Sequence, residues 1–148
     1  MPLPSTEAEI DAFLAAFEGG TLPKAEWTHA AHLLTGACYV HALGAEAATV
    51  AMRTHVRKFN ESVGGRNTHT SGYHETITIA WIKLLDALWQ RVQPMERPAF
   101  AAHAIAFYAP KKDLFARHYD FDLLQSTPAR LGWIEPNLAP LETSALID

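Results

Sequence analysis

The sequence predicts an all-α fold, a bundle of about five helices with an irregular C-terminal wrap, and three observations carry that expectation. Apolar residues recur at three- and four-residue spacing in successive segments. Cap residues stand just ahead of those segments, with glycines or prolines just after them. Nowhere do β-branched residues alternate cleanly with polar ones. Ile77, Thr78 and Ile79 come nearest to a strand, but the pattern on either side has a helical period. At 148 residues and 49 % hydrophobic composition the chain is long enough for one core. No linker, repeat or low-complexity tract divides it, so a single helical domain over 1–148 is expected.

The first helix is announced by a capping box, Thr6 with Glu9 three positions on. Ile10, Phe13, Leu14 and Phe17 then mark one apolar face, and Gly19 and Gly20 end it, because glycine tolerates the left-handed exit. After the connector TLPKAEW, Thr28 can cap the run HAAHLLTGACYVHALG. Its apolar residues lie almost all round, as expected of a central helix. Gly36 costs that helix about 1 kcal/mol relative to alanine, which close packing or a close ligand would justify. Gly44 is a natural stop. The third helix is expected over 46–60, with Met52, Val56 and Phe59 inward and Arg53 and Arg57 on another side.

The stretch 61–72, ESVGGRNTHTSG, reads as a loop, long for so small a protein and of the kind that forms lids and binding loops. A fourth helix follows over 73–92, with Thr70 or Ser71 as its cap and a broad surface of Ile77, Trp81, Leu84, Leu85, Leu88 and Trp89. Pro98 near the first turn and Pro110 beyond the end frame a fifth, Arg97–Tyr108. Its neighbours Phe100 and Phe107 place His103 in the core. Asp113 can cap the short segment LFARHY. The tail over 126–148 reads as a turn or short helix near Pro128, then an extended wrap pinned by Trp133 and Ile134.

Composition narrows the function classes. A net charge of -4 argues against a duplex nucleic-acid surface, which needs clustered positive charge. No apolar stretch is long enough to span a bilayer, and the acidic N-terminus has no signal-like hydrophobic region. The lone Cys38 rules out an internal disulfide or a thiolate zinc cluster and sits in a hydrophobic helix where inert packing is expected. The expected setting is cytoplasmic. The expected partner is a small-molecule ligand, with no nucleic acid and no membrane, and a chain of this kind is open to homodimer formation.

The candidate chemistry lies among the histidines. His29 and His32 are three apart at the start of the second helix, so both can face one point. His74 begins the face that continues through Thr78, Trp81, Leu85 and Leu88, which must point inward, and a buried imidazole needs partners for its nitrogens. In an up-down bundle the second and fourth helices start at the same end. His29, His32 and His74 could then surround one divalent transition metal, zinc or iron, with an open position for water or substrate. Glu75 and Tyr73, at the same helix start, are the candidate catalytic groups, with Glu75 moving a proton in a hydrolysis or elimination on a small polar substrate. Glu75 lies about 100 degrees from His74 on a helix, where helix-start amides or Arg57 are its expected contacts. His74 and Glu75 do not form the metalloprotease HExxH motif, since position 78 is threonine.

A rival arrangement needs no metal. In it the histidines, Arg57 and Asn60 would hold a small anionic or polar molecule, with Thr78 a further ligand-binding candidate. The loop feeds into the end where the three histidines would meet, so Arg66 and His69 could close over that site. Each residue also has a bland reading as solvated surface or satisfied core. No dinucleotide fingerprint, phosphate loop or nucleophile elbow is present. Three readings follow: a metal-dependent enzyme, a non-enzymatic small-ligand binding protein, and a structural or interaction module.

Overall fold

The computed structural model describes residues 2–142, and residues 143–148 of the expected wrap lie outside them. The fold is all-α. α1 spans Glu7–Gly19, α2 His29–Leu43, α3 Ala45–Ser62, α4 Glu75–Val92, α5 Arg97–Tyr108 and α6 Thr127–Leu131. Short 3-10 turns stand at Lys24–Glu26, Leu114–Arg117 and Leu123–Gln125, and the described residues contain no strand.

Local chemistry accounts for most helix ends. Thr6 accepts from the Glu9 amide at 3.2 Å while Glu9 reaches back to the Ser5 amide at 2.9 Å, so the reciprocal bond falls one residue before the expected partner. Gly20 ends α1 at a φ of 75°, in the left-handed region. Thr28 caps α2 through the Ala31 amide, and Gly44 separates α2 from α3. α4 starts two residues later than expected. Neither Thr70 nor Ser71 caps it; His74 does, its ring nitrogen accepting from the Ile77 amide.

α2 is the central helix and packs against α3, α4 and α5. From Leu33 to Val40 every residue of it is buried. Gly36 faces α4 so closely that a Cβ there would stand 2.7 Å from Leu85 Cδ1, which explains a glycine in a helix interior. Trp27, in the connector before α2, stacks on Phe17 with ring centroids 4.3 Å apart. α5 buries Phe100, Ala101, Ala104 and Tyr108. His103 falls off that face and is exposed, contrary to the core position its phenylalanine neighbours suggest.

The C-terminal wrap is held by specific bonds to the start of α4. Thr76, fully buried, donates to the Gly132 carbonyl at 2.7 Å and accepts from the Ile134 amide at 3.1 Å. Tyr119 donates to the Ile134 carbonyl at 2.7 Å. Trp133 packs against the core, so both residues expected to pin the wrap do so. One threonine hydroxyl therefore satisfies two backbone groups of an otherwise irregular segment. Thr76→Val keeps the shape and removes both bonds; it is expected to cost about 2–4 kcal/mol. Denaturant unfolding measures that loss, and hydrogen exchange should show the Ile134 amide losing protection ahead of the α2 amides.

Candidate functional site

The start of α4, the first turns of α2 and the inner face of α3 enclose a recess of about 380 Å3. Trp27, Trp81, Met52, Val56 and Leu85 give it apolar walls, and Leu124 and Arg130 close it from the C-terminal segment. Its other polar lining comes from His32, Asn60, Tyr73, His74 and Thr78. The two helix starts thus share one recess, as the up-down arrangement predicts. The five residues just named all belong to the expected site.

Their side chains are committed in ways the sequence does not reveal. His74 is buried. Its Nε2 donates to the Leu123 carbonyl at 2.7 Å and its Nδ1 accepts from the Ile77 amide at 3.1 Å, which fixes the neutral Nε2–H tautomer. Burial lowers its pKa and the nearby Arg130 charge lowers it further, against the opposing bond to Leu123. His32 donates from Nδ1 to the Thr28 carbonyl at 2.8 Å, and its ring lies 4.0 Å from that of Trp27. Burial pushes its pKa down as well, so the ring is neutral and Nε2 is its acceptor.

His29 goes elsewhere. It is exposed, with its ring 5.4 Å from that of Trp81, and it lines a wider outer groove with Phe115 and Tyr119. Trp81, Ile77 and Leu124 form a wall common to groove and recess. The expected triad of His29, His32 and His74 is therefore not assembled. His29 faces a different space from the other two, and both nitrogens of His74 already serve the backbone. Among the described residues, no group of three or more His, Cys, Asp or Glu side chains is placed to hold a metal ion.

Glu75 does not line the recess. Its two oxygens take a forked pair of bonds from Arg53 at 3.0 and 2.9 Å, and Tyr73 donates to it at 2.6 Å. Its partner is thus Arg53, one turn before Arg57. Burial raises the Glu75 pKa, but the bonds from Arg53 and Tyr73 and the charges of Arg53 and Arg57 outweigh it and hold the carboxyl below its usual range. A carboxylate so well satisfied is a weak proton acceptor. The Tyr73 hydroxyl is pushed well above its ordinary value by burial and by its bond to Glu75.

The loop before α4 is braced rather than lid-like. Asn67 accepts from the Tyr73 amide and from Asn60 Nδ2, and it donates to the Arg57 carbonyl and to Glu61. Gly72 adopts a φ of 80° and packs against the Arg66 carbonyl, where any Cβ would collide. Arg66 and His69 are exposed and do not line the recess. Arg57 is also outside it, its guanidinium 5.7 Å from the centre of the Tyr73 ring.

Sequence reasoning missed Arg130 and Leu124 as parts of the site. Both come from short turns of the C-terminal segment, where no periodicity points to a face. Comparison with known proteins finds no matching family model, no matching curated protein and no matching solved structure.

Two outcomes test this geometry. His74→Asn keeps a cap acceptor but loses the bond to Leu123 and should cost about 1–2 kcal/mol, whereas His74→Ala loses both and should cost about 2–3 kcal/mol in denaturant unfolding. For Glu75 the folded pKa is depressed, so its stabilisation is complete above the unfolded value of about 4.3 and is lost as pH falls through the folded value. Glu75→Gln should therefore cost about 1 kcal/mol at neutral pH, given the partial exposure of the Arg53 pair, and the gap to the parent protein should close below about pH 4.

Proposed function

We propose that this protein is a small-ligand binding protein whose site is the recess between α2, α3 and α4. The observation that carries the reading is the recess itself. It joins aromatic and aliphatic walls to a few convergent polar groups, at a volume within the range of about 300–1,000 Å3 typical of small-molecule sites. The half-buried Trp81, together with Trp27, whose faces already carry Phe17 and His32, supplies a rigid aromatic wall for the body of a ligand. The neutral ring of His32 offers an acceptor, and Thr78 a hydroxyl, for its polar parts.

Binding fits this site better than metal-assisted turnover does. The groups best suited to acid–base work, Glu75 and Tyr73, are tied to each other and to Arg53, and His74 is tied to the backbone at both nitrogens. Each supports the walls of the recess rather than standing ready to exchange a proton.

Because Trp27 and Trp81 line the recess, an occupant should alter their fluorescence. A panel of small apolar and aromatic molecules titrated into the full chain is expected to give saturable changes, with the bound compound recovered chemically unchanged. Val56→Phe places extra volume in the recess, at an overpacking cost of about 1–3 kcal/mol. Its folding is checked by circular dichroism, and it should weaken those ligands about tenfold or more. Equal binding by the folded variant would put the ligand elsewhere and overturn the proposal.

A further inference from the structure

The recess carries one formal charge. Of the described residues that line it none is Asp, Glu or Lys, and among them Arg130 alone is permanently ionised. The two histidines on its surface are neutral for the reasons given above. Arg130 is itself 8 % exposed, so its guanidinium is withdrawn from water. Its partners are backbone carbonyls: Gly72 at 2.7 Å and, more weakly, Tyr73 at 3.5 Å from Nη1, and Leu124 at 3.2 Å from Nη2. Carbonyl oxygens satisfy N–H groups but bring only partial charge. Among the described residues no carboxylate stands within ion-pair distance of Arg130; Arg53 holds Glu75, and Arg97 holds Glu7 and Asp11. Glu75, at the same helix start, is already neutralised by Arg53.

A buried cation without a counter-charge is expensive, and an anion entering the same low-dielectric space gains the interaction that the fold leaves unmade. The walls choose among anions. Aromatic and aliphatic surface does not replace the hydration of a phosphate, whereas a carboxylate on an apolar body matches both the charge and the walls. The outer groove differs: Lys111 and Lys112 are interleaved there with Asp113, Asp120 and Asp122, so it favours neither sign.

We propose that the ligand of the recess is a small carboxylic acid, ionised and carried on an aromatic or aliphatic body, with Arg130 as its anchor. This rests on the reading of the recess as a small-ligand site and adds the chemical class. The test compares acids with their uncharged twins: benzoate, phenylacetate, 3-phenylpropionate and hexanoate against the four corresponding amides. Each is titrated into the full chain near neutral pH by calorimetry and by tryptophan fluorescence.

The expected result is that the best acid binds about tenfold or more tightly than its amide. In folded Arg130→Gln that preference should fall to about twofold or less. Because Arg130 also ties Gly72 and Leu124 in place, Arg130→Lys, which keeps the charge but loses the fork, provides a second variant with an intermediate preference. If neither variant folds, nuclear Overhauser contacts from the bound acid to the indole protons of Trp27 or Trp81 in the parent protein decide whether the preference belongs to the recess. Their absence with a bound acid overturns the assignment. Amides that bind as well as acids, and are blocked by Val56→Phe, would overturn the carboxylate and leave the recess reading standing. No binding in either series up to about 10 mM would overturn both.

Discussion

The rest of the structure depends on how the buried start of α4 meets its hydrogen-bond needs. The first amides of any helix lack partners within it, and here water is largely excluded. The solution is a set of long-range bonds. His74 caps the helix with one nitrogen and reaches the Leu123 carbonyl with the other, Thr76 holds Gly132 and Ile134, and Arg130 returns to Gly72. These bonds draw the 123–134 segment across the end of the bundle. Without them the recess would lose one wall, because Leu124 and Arg130 have no regular element long enough to hold them there.

That arrangement explains which parts of the fold were legible in the sequence. α1, α2 and α5 carry strong local signals: a threonine cap, a glycine exit, a proline in the first turn. α4 starts two residues later than the sequence predicts because histidine is not a usual cap, yet a neutral imidazole with its proton on Nε2 presents an acceptor as a threonine hydroxyl does. His103 departs from its expected core position for a different reason. Its phenylalanine neighbours lie three before and four after it, but α5 turns Phe100, Ala101, Ala104 and Tyr108 to the core, a face that excludes His103. Neighbouring aromatics are weak evidence when a helix is apolar on more than one side.

The candidate site was legible to the same extent and for the same reasons. The inward face of α4 led to His74 and Thr78, and the shared end of α2 and α4 led to His32. The i, i+3 spacing of His29 and His32 misled, since spacing fixes the direction of the Cβ atoms but not of the rings. His32 turns back to the carbonyl of Thr28 and lies against Trp27, whereas His29 lies against Trp81 on the groove side. Trp81 stands in the wall between the two spaces, and no pattern in the sequence reveals a partition made by one indole. The contribution of Arg130 was out of reach for a similar reason: its role depends on a chain reversal fixed by bonds some fifty residues apart in sequence.

The choice of arginine at 130 separates a clamp from a site. As a clamp it needs only to donate to carbonyls of residues 72 and 124, and neutral donors can do that without bringing a charge out of water. Replacing buried ionic groups by apolar ones is often neutral or stabilising, so folding alone gives little reason to keep the charge. Among the described residues nothing neutralises it. Glu75 is turned to Arg53, the outer groove keeps its acids beyond Trp81, and the recess wall has none. A guanidinium held in place by backbone carbonyls is pre-organised, and among the described residues no carboxylate supplies its counter-charge. The closure of the fold thus sets a guanidinium in the wall of the recess, and the residue that completes that wall is the one the proposed anion would meet.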